Sequence, residues 1–201
     1  MTFGRDDGRM RFAGRESWQV SHGSSFTMDT ALFVRDTLAL SVETVPELPG
    51  LDPPVPVFVP PGVDRAGAAE EWLGWWADVL DHARGDRSDV PSPADPAARS
   101  LAVRPALRGA VEALMTPASQ YWTRTSGTGH PTALPVGEVV RGVESRLGRQ
   151  ARPFRLVITV VGVQGLVWER MTDSHVIASR RFLDDPARCA PALRAVVESL
   201  A

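Results

Sequence analysis

The chain has 201 residues, 43% of them hydrophobic, and a formal charge of −2. That much apolar material builds one packed domain and excludes wholesale disorder, while a slightly acidic balance gives no general affinity for nucleic acid or an anionic membrane. All 22 basic residues are arginine, so no lysine is present for a Schiff base, a pyridoxal-phosphate anchor, a phosphate loop or a protein kinase.

Asparagine is also absent and isoleucine occurs only at 158 and 177, as in a GC-rich coding sequence. Cys189 is the only cysteine. It leaves no intramolecular disulfide, multi-thiolate zinc site or self-contained iron–sulfur site, and it fits a reducing cytoplasm. No apolar run is long enough for a transmembrane helix, and no apolar core of the secretory kind follows the first arginines.

Residues 1–27 are rich in Gly, Ser, Arg and Asp, with scattered Phe3, Phe12, Trp18 and Phe26 and no sustained period. They read as a flexible N-terminal extension to a single domain over residues 28–201. Met10 and Met28 offer later translation starts than Met1.

Residues 28–40 read as the first helix. Thr27 caps it and Asp29 lies in the first turn, where the helix dipole favours negative charge. The apolar runs at 32–34 and 38–42 keep a strand as the alternative. Residues 45–62 hold seven prolines and form a Pro-rich connector, extended over the surface, with no helix. Alternating Val55, Val57 and Val59 offer an edge strand, and the segment is also a candidate ligand for a proline-reading domain; a plain connector is the simpler reading.

Residues 64–84 carry the strongest helix pattern. Asp64 caps, Gly85 follows, and Ala68, Trp72, Trp75, Trp76, Val79 and Leu80 form an apolar stripe. Three indoles within about one turn belong in a core. Arg65, Glu71, Asp78 and His82 take the opposite, solvated face. Residues 85–96 read as an exposed loop. A helix opens at Arg104 and Pro105. Pro117 either ends it near Met115 or starts a second one carrying Tyr121 and Trp122. Residues 134–147 form another helix, stopped by Gly148.

Residues 154–200 are the clearest architectural signal. Residues 154–161 alternate and are rich in β-branched side chains, apolar on one face and nearly so on the other. Gly162 and Gly165 suit a tight turn, residues 166–171 a return strand, residues 172–174 a second turn and residues 175–182 a third strand. Asp185 and Pro186 then open a helix whose face is Cys189, Leu193, Val196, Val197 and Leu200. Pro191 either opens that helix itself or sits in its first turn. The expected fold is α+β: a three-stranded antiparallel meander near the C-terminus, packed against four or five helices.

Chemistry-bearing patterns are sparse. In the stretch Ser126, Gly127, Thr128, Gly129, His130, two glycines offer backbone N–H groups to an anion, with Arg124 and the two hydroxyls adding donors. It lacks the third glycine of a dinucleotide fingerprint and the lysine of a phosphate loop. The histidines, His22, His82, His130 and His175, show no metal-ligand spacing, so neither metal nor cofactor is expected. No Gly-x-Ser-x-Gly elbow is present. Cys189 reads as a small core residue.

Two function classes remain. The first is a non-catalytic cytoplasmic protein acting through a protein partner, with no nucleic acid and no membrane involved. The second is a small-molecule binder or enzyme with a pocket bounded by Trp122, Arg124, Ser126, Thr128, His130 and His175. A deep polar pocket at 122–130 favours the second, and an exposed apolar patch favours the first.

Overall fold

The computed structural model describes residues 18–84, 91–126 and 134–201. In chain order the elements among them are β1 (Gln19–Ser24), α1 (Phe26–Thr37), α2 (Arg65–Arg84), α3 (Arg99–Ala102), α4 (Pro105–Ser126), α5 (Val136–Leu147), β2 (Arg155–Val161), β3 (Trp168–Thr172), β4 (His175–Ser179), α6 (Arg180–Leu183) and α7 (Pro186–Leu200). They fall into two compact units. Residues 18–24, 134–161 and 165–201 form a sheet unit, and residues 25–84, 91–126 and 162–164 form a helical unit.

The sheet is mixed, with strand order β1-β2-β4-β3. β2 runs parallel to both β1 and β4, and only β3 pairs antiparallel, with β4. The expected antiparallel meander is therefore corrected. Its second turn is a hairpin, but its first is not. Gly162 and Gln164 bond instead to the backbone of Asp52 and Gly50, at 2.9 and 2.8 Å, so the chain leaves the sheet before returning as β3. The cause is visible in burial. Ile158, Thr159, Val160 and Val161 are buried in succession, as are all five residues of β4. Strands buried on both faces sit in the middle of a sheet and pair in parallel, whereas the wetter β1 and β3 take the edges.

β1 corrects a second expectation, since residues 19–24 belonged to the expected flexible extension. It matches β2 from Gln19 opposite Arg155 to Ser24 opposite Val160. Val20 is its one buried residue, so its sequence carries almost no strand period. The third strand is shorter than expected. Ser179 ends β4 and caps α6, its Oγ accepting from Phe182 N at 3.2 Å.

Helices α5 and α7 bury their apolar stripes on one face of this sheet. Val139, Val140 and Val143 join Cys189, Leu193, Val196 and Val197 against Leu156, Ile158, Val160, Val176 and Ala178. Gly148 stops α5 at φ 65°, a left-handed position that suits glycine. Asp185 caps α7, accepting from Ala187 N and Arg188 N at 3.1 and 3.3 Å. Pro186 opens the helix and Pro191 lies inside it, so neither reading of Pro191 as its start or first turn holds.

The helical unit is built on α1, whose residues from Thr27 to Arg35 are all buried. Trp72 stacks on Trp76 at 5.8 Å and meets Trp75 edge-on at 5.4 Å. α2 starts where Asp64 Oδ1 accepts from Gly67 N at 2.9 Å. α4 runs unbroken through Pro117, against both expectations for that proline. Leu107, Ala110, Val111, Leu114, Ala118 and Tyr121 are buried at three- and four-residue steps. That continuous stripe holds the two halves in line although one backbone donor is missing.

The Pro-rich segment is neither helix nor strand. Val55, Val57 and Val59 form no edge strand; the segment's one bridge joins Leu51 to Val163. Prolines at 54, 56 and 60 deny it the donors a ladder needs. It is tied down from below: Phe58 N donates to Thr37 O and Tyr121 Oη to Pro53 O, both at 2.7 Å. No helix among the described residues is long and apolar enough to cross a membrane.

Candidate functional site

Of the residues expected to bound a pocket, Trp122 and Arg124 lie near the end of α4, the first half-buried and the second exposed. Ser126 ends that helix. Thr128 and His130 lie outside the described residues. His175 opens β4 in the sheet unit, buried, with its Nε2 at 2.9 Å from Thr159 Oγ1. Arg124 lines a shallow depression of about 490 Å3 with Met115, Thr116, Ser119, Gln120 and Thr123. All six come from α4, so among the described residues it is a helix face without a facing wall.

Cys189 is unsuited to nucleophilic chemistry. Burial pushes its thiol above the ordinary value, and the neighbouring Asp185 carboxylate pushes the same way. The nucleophilic thiolate is disfavoured on both counts.

A more polar cavity lies elsewhere, in the helical unit. It is an open cleft of about 630 Å3 between the end of α2 (Asp78, Asp81, His82), the turn at Pro91 and Pro93, and α3 with its exit (Arg99, Ser100, Val103, Arg104). Helical spacing gathers the first wall, because residues 78, 81 and 82 are three and four apart. Arg104 braces the second. Its Nη1 reaches Asp78 Oδ2 at 2.7 Å and also bonds the Ser100 carbonyl. Its guanidinium lies over Gly74, where an added Cβ would stand only 3.0 Å from Nη2.

The turn between the walls is fixed from several sides. Pro93 O accepts from Trp75 Nε1 at 2.8 Å and from Ser100 Oγ at 3.2 Å. Ser92 Oγ lies 2.6 Å from Thr27 Oγ1, and Asp95 Oδ1 accepts from Ala97 N. The cavity is thus pre-formed, and its volume is in the usual range for small-molecule sites, about 300–1,000 Å3. Sequence reasoning missed it because Asp78 and His82 look like the solvated face of an amphipathic helix. The one available signal was their four-residue spacing beside Asp81.

A second surface feature is the Pro-rich strip itself. Val57 is 66% and Phe58 55% exposed, flanked by exposed Pro54, Pro56 and Pro61. No charged residue lies between Asp52 and Asp64. Comparison of the chain with protein-family models, with curated proteins and with solved structures returns no match to any of them.

Proposed function

We propose that the chain is a non-catalytic, cytoplasmic protein-binding module whose contact surface is the strip around Val57 and Phe58. One observation carries this reading. Two large apolar side chains stand outward on a backbone that is pinned beneath, through Phe58 N to Thr37 O and Pro53 O to Tyr121 Oη. Exposing them costs hydration free energy that a partner's apolar groove recovers. Prolines lower the conformational entropy lost on binding, so the strip is a pre-organised ligand. The partner that fits is a protein with an uncharged, aromatic-lined groove of the kind that reads proline-rich segments. A lone buried cysteine suits the reducing compartment in this reading.

The test compares affinity-tagged wild type with Phe58→Asp, each purified from the host cell at matched expression. The reading expects one stoichiometric partner with the wild type and its loss with Phe58→Asp, while both chains keep the same thermal midpoint. A partner retained by Phe58→Asp contradicts it, as does a wild type that purifies alone.

A further inference from the structure

We propose that the cavity between α2 and α3 binds a small zwitterion, an amine and a carboxylate on a short aliphatic frame: a free amino acid or a short peptide. Among the described residues the lining is electrically balanced, two aspartates against two arginines, so it suits a ligand of zero net charge. Both carboxylates, Asp78 and Asp81, come from α2, while Arg99 lies across the cavity on α3. Arg104 is spent on Asp78, Ser100 and the surface of Gly74. The Arg99 guanidinium bonds to no described residue and remains for a carboxylate, which it can grip with two parallel N–H donors. Asp78 uses Oδ2 for Arg104, which leaves Oδ1 as an acceptor on a side chain 43% exposed. An ammonium there completes the opposite end. Pro91, Pro93, Ala98 and Val103 supply the apolar part of the lining.

The probes are L-valine and L-valyl-L-valine, each beside its N-acetyl form, which lacks the amine charge, and its amide, which lacks the carboxylate. Binding to the full chain is followed by titration calorimetry. The proposal expects at least one parent zwitterion to bind and both of its blocked forms to bind about tenfold more weakly or worse. Which parent binds better separates a free amino acid from a peptide. The variant Arg99→Gln should weaken the parent and the N-acetyl form while leaving the amide unchanged, a pattern that general misfolding does not produce. No binding heat from either parent at about 10 mM, beyond the millimolar range of weak specific sites, overturns the proposal. So does equal binding of a parent and its N-acetyl form, or an Arg99→Gln variant that binds the parent like the wild type.

Discussion

Arg35 and Asp36, neighbours at the end of α1, act together as one clamp on the Pro-rich segment. Arg35 Nε meets Asp36 Oδ1 at 2.6 Å, and its two terminal nitrogens donate to Leu48 O and Pro49 O, each at 2.7 Å. Asp36 Oδ2 accepts from Leu51 N at 2.6 Å. Three backbone groups of a proline-rich stretch, which has no ladder to satisfy them, are satisfied this way.

Removing the clamp should therefore cost more than a surface ion pair. Arg35→Ala is expected to destabilise by about 2–4 kcal/mol in urea unfolding, because Asp36 and two carbonyls lose their donor in a poorly solvated place. Arg35→Lys should recover less than half of that, since an ammonium does not reproduce the planar fork. Full recovery with lysine would mean that charge alone matters.

The three indoles of α2 are not equivalent. Trp75 Nε1 donates to Pro93 O, whereas Trp72 Nε1 and Trp76 Nε1 are buried with no hydrogen-bond partner among the described residues. Trp75→Phe loses a made bond and leaves a buried carbonyl short of one donor. Trp76→Phe removes a buried donor that had none. Both open similar space, so Trp75→Phe should be the more destabilising by about 1 kcal/mol in denaturant titration. The reverse order would contradict this reading of the core.

Gly67 and Gly74 both lie inside α2, yet they should respond differently to alanine. At Gly67 an added Cβ would stand 2.9 Å from Ala106 Cβ and 2.5 Å from Asp64 Oδ2. Neither the start of α4 nor the capping aspartate can yield freely, so Gly67→Ala should cost about 1–2 kcal/mol despite better helix propensity. At Gly74 only the far end of Arg104 must move. Gly74→Ala should leave thermal stability within about 0.5 kcal/mol of the wild type, propensity and the disturbed ion pair offsetting each other.

Cys189 sets an alkaline limit. Its thiol titrates above the ordinary 9.0 when folded, by burial first and Asp185 second. A raised folded value means that the stabilisation is complete below 9.0 and is lost as pH rises from there through the folded value, where the unfolded chain gives up its proton first. Urea midpoints should fall more steeply above that pH for the wild type than for Cys189→Ala. Parallel curves would show that the thiol contributes nothing to the limit. In native protein at neutral pH the thiol should also react with a thiol reagent only as fast as the helix opens.

What was legible in the sequence is what local rules encode. α2 and α7 were marked by Asp64 and Asp185 caps and by apolar steps of three and four, and α5 by its period and Gly148. The pairing of the strands was not local. A near-continuous apolar run in β2 did signal a strand buried on both faces, yet two nearby glycines suggested a hairpin that the chain does not make. β1 was hidden because an edge strand with only Val20 buried has no period to read. The cavity was hidden for a similar reason: Asp78 and Arg104 are 26 residues apart, and each looks like an ordinary surface charge until α2 and α4 are packed.

The claim that matters most is that the Phe58 surface meets a partner protein. The direct measurement is to place a photo-crosslinking amino acid at position 58 in the living host, with an otherwise identical chain carrying it at exposed Glu112 on α4 as the control. The account predicts one discrete adduct of defined mass from position 58 and none of that mass from position 112. No adduct from position 58, or the same adduct from both positions, would contradict it.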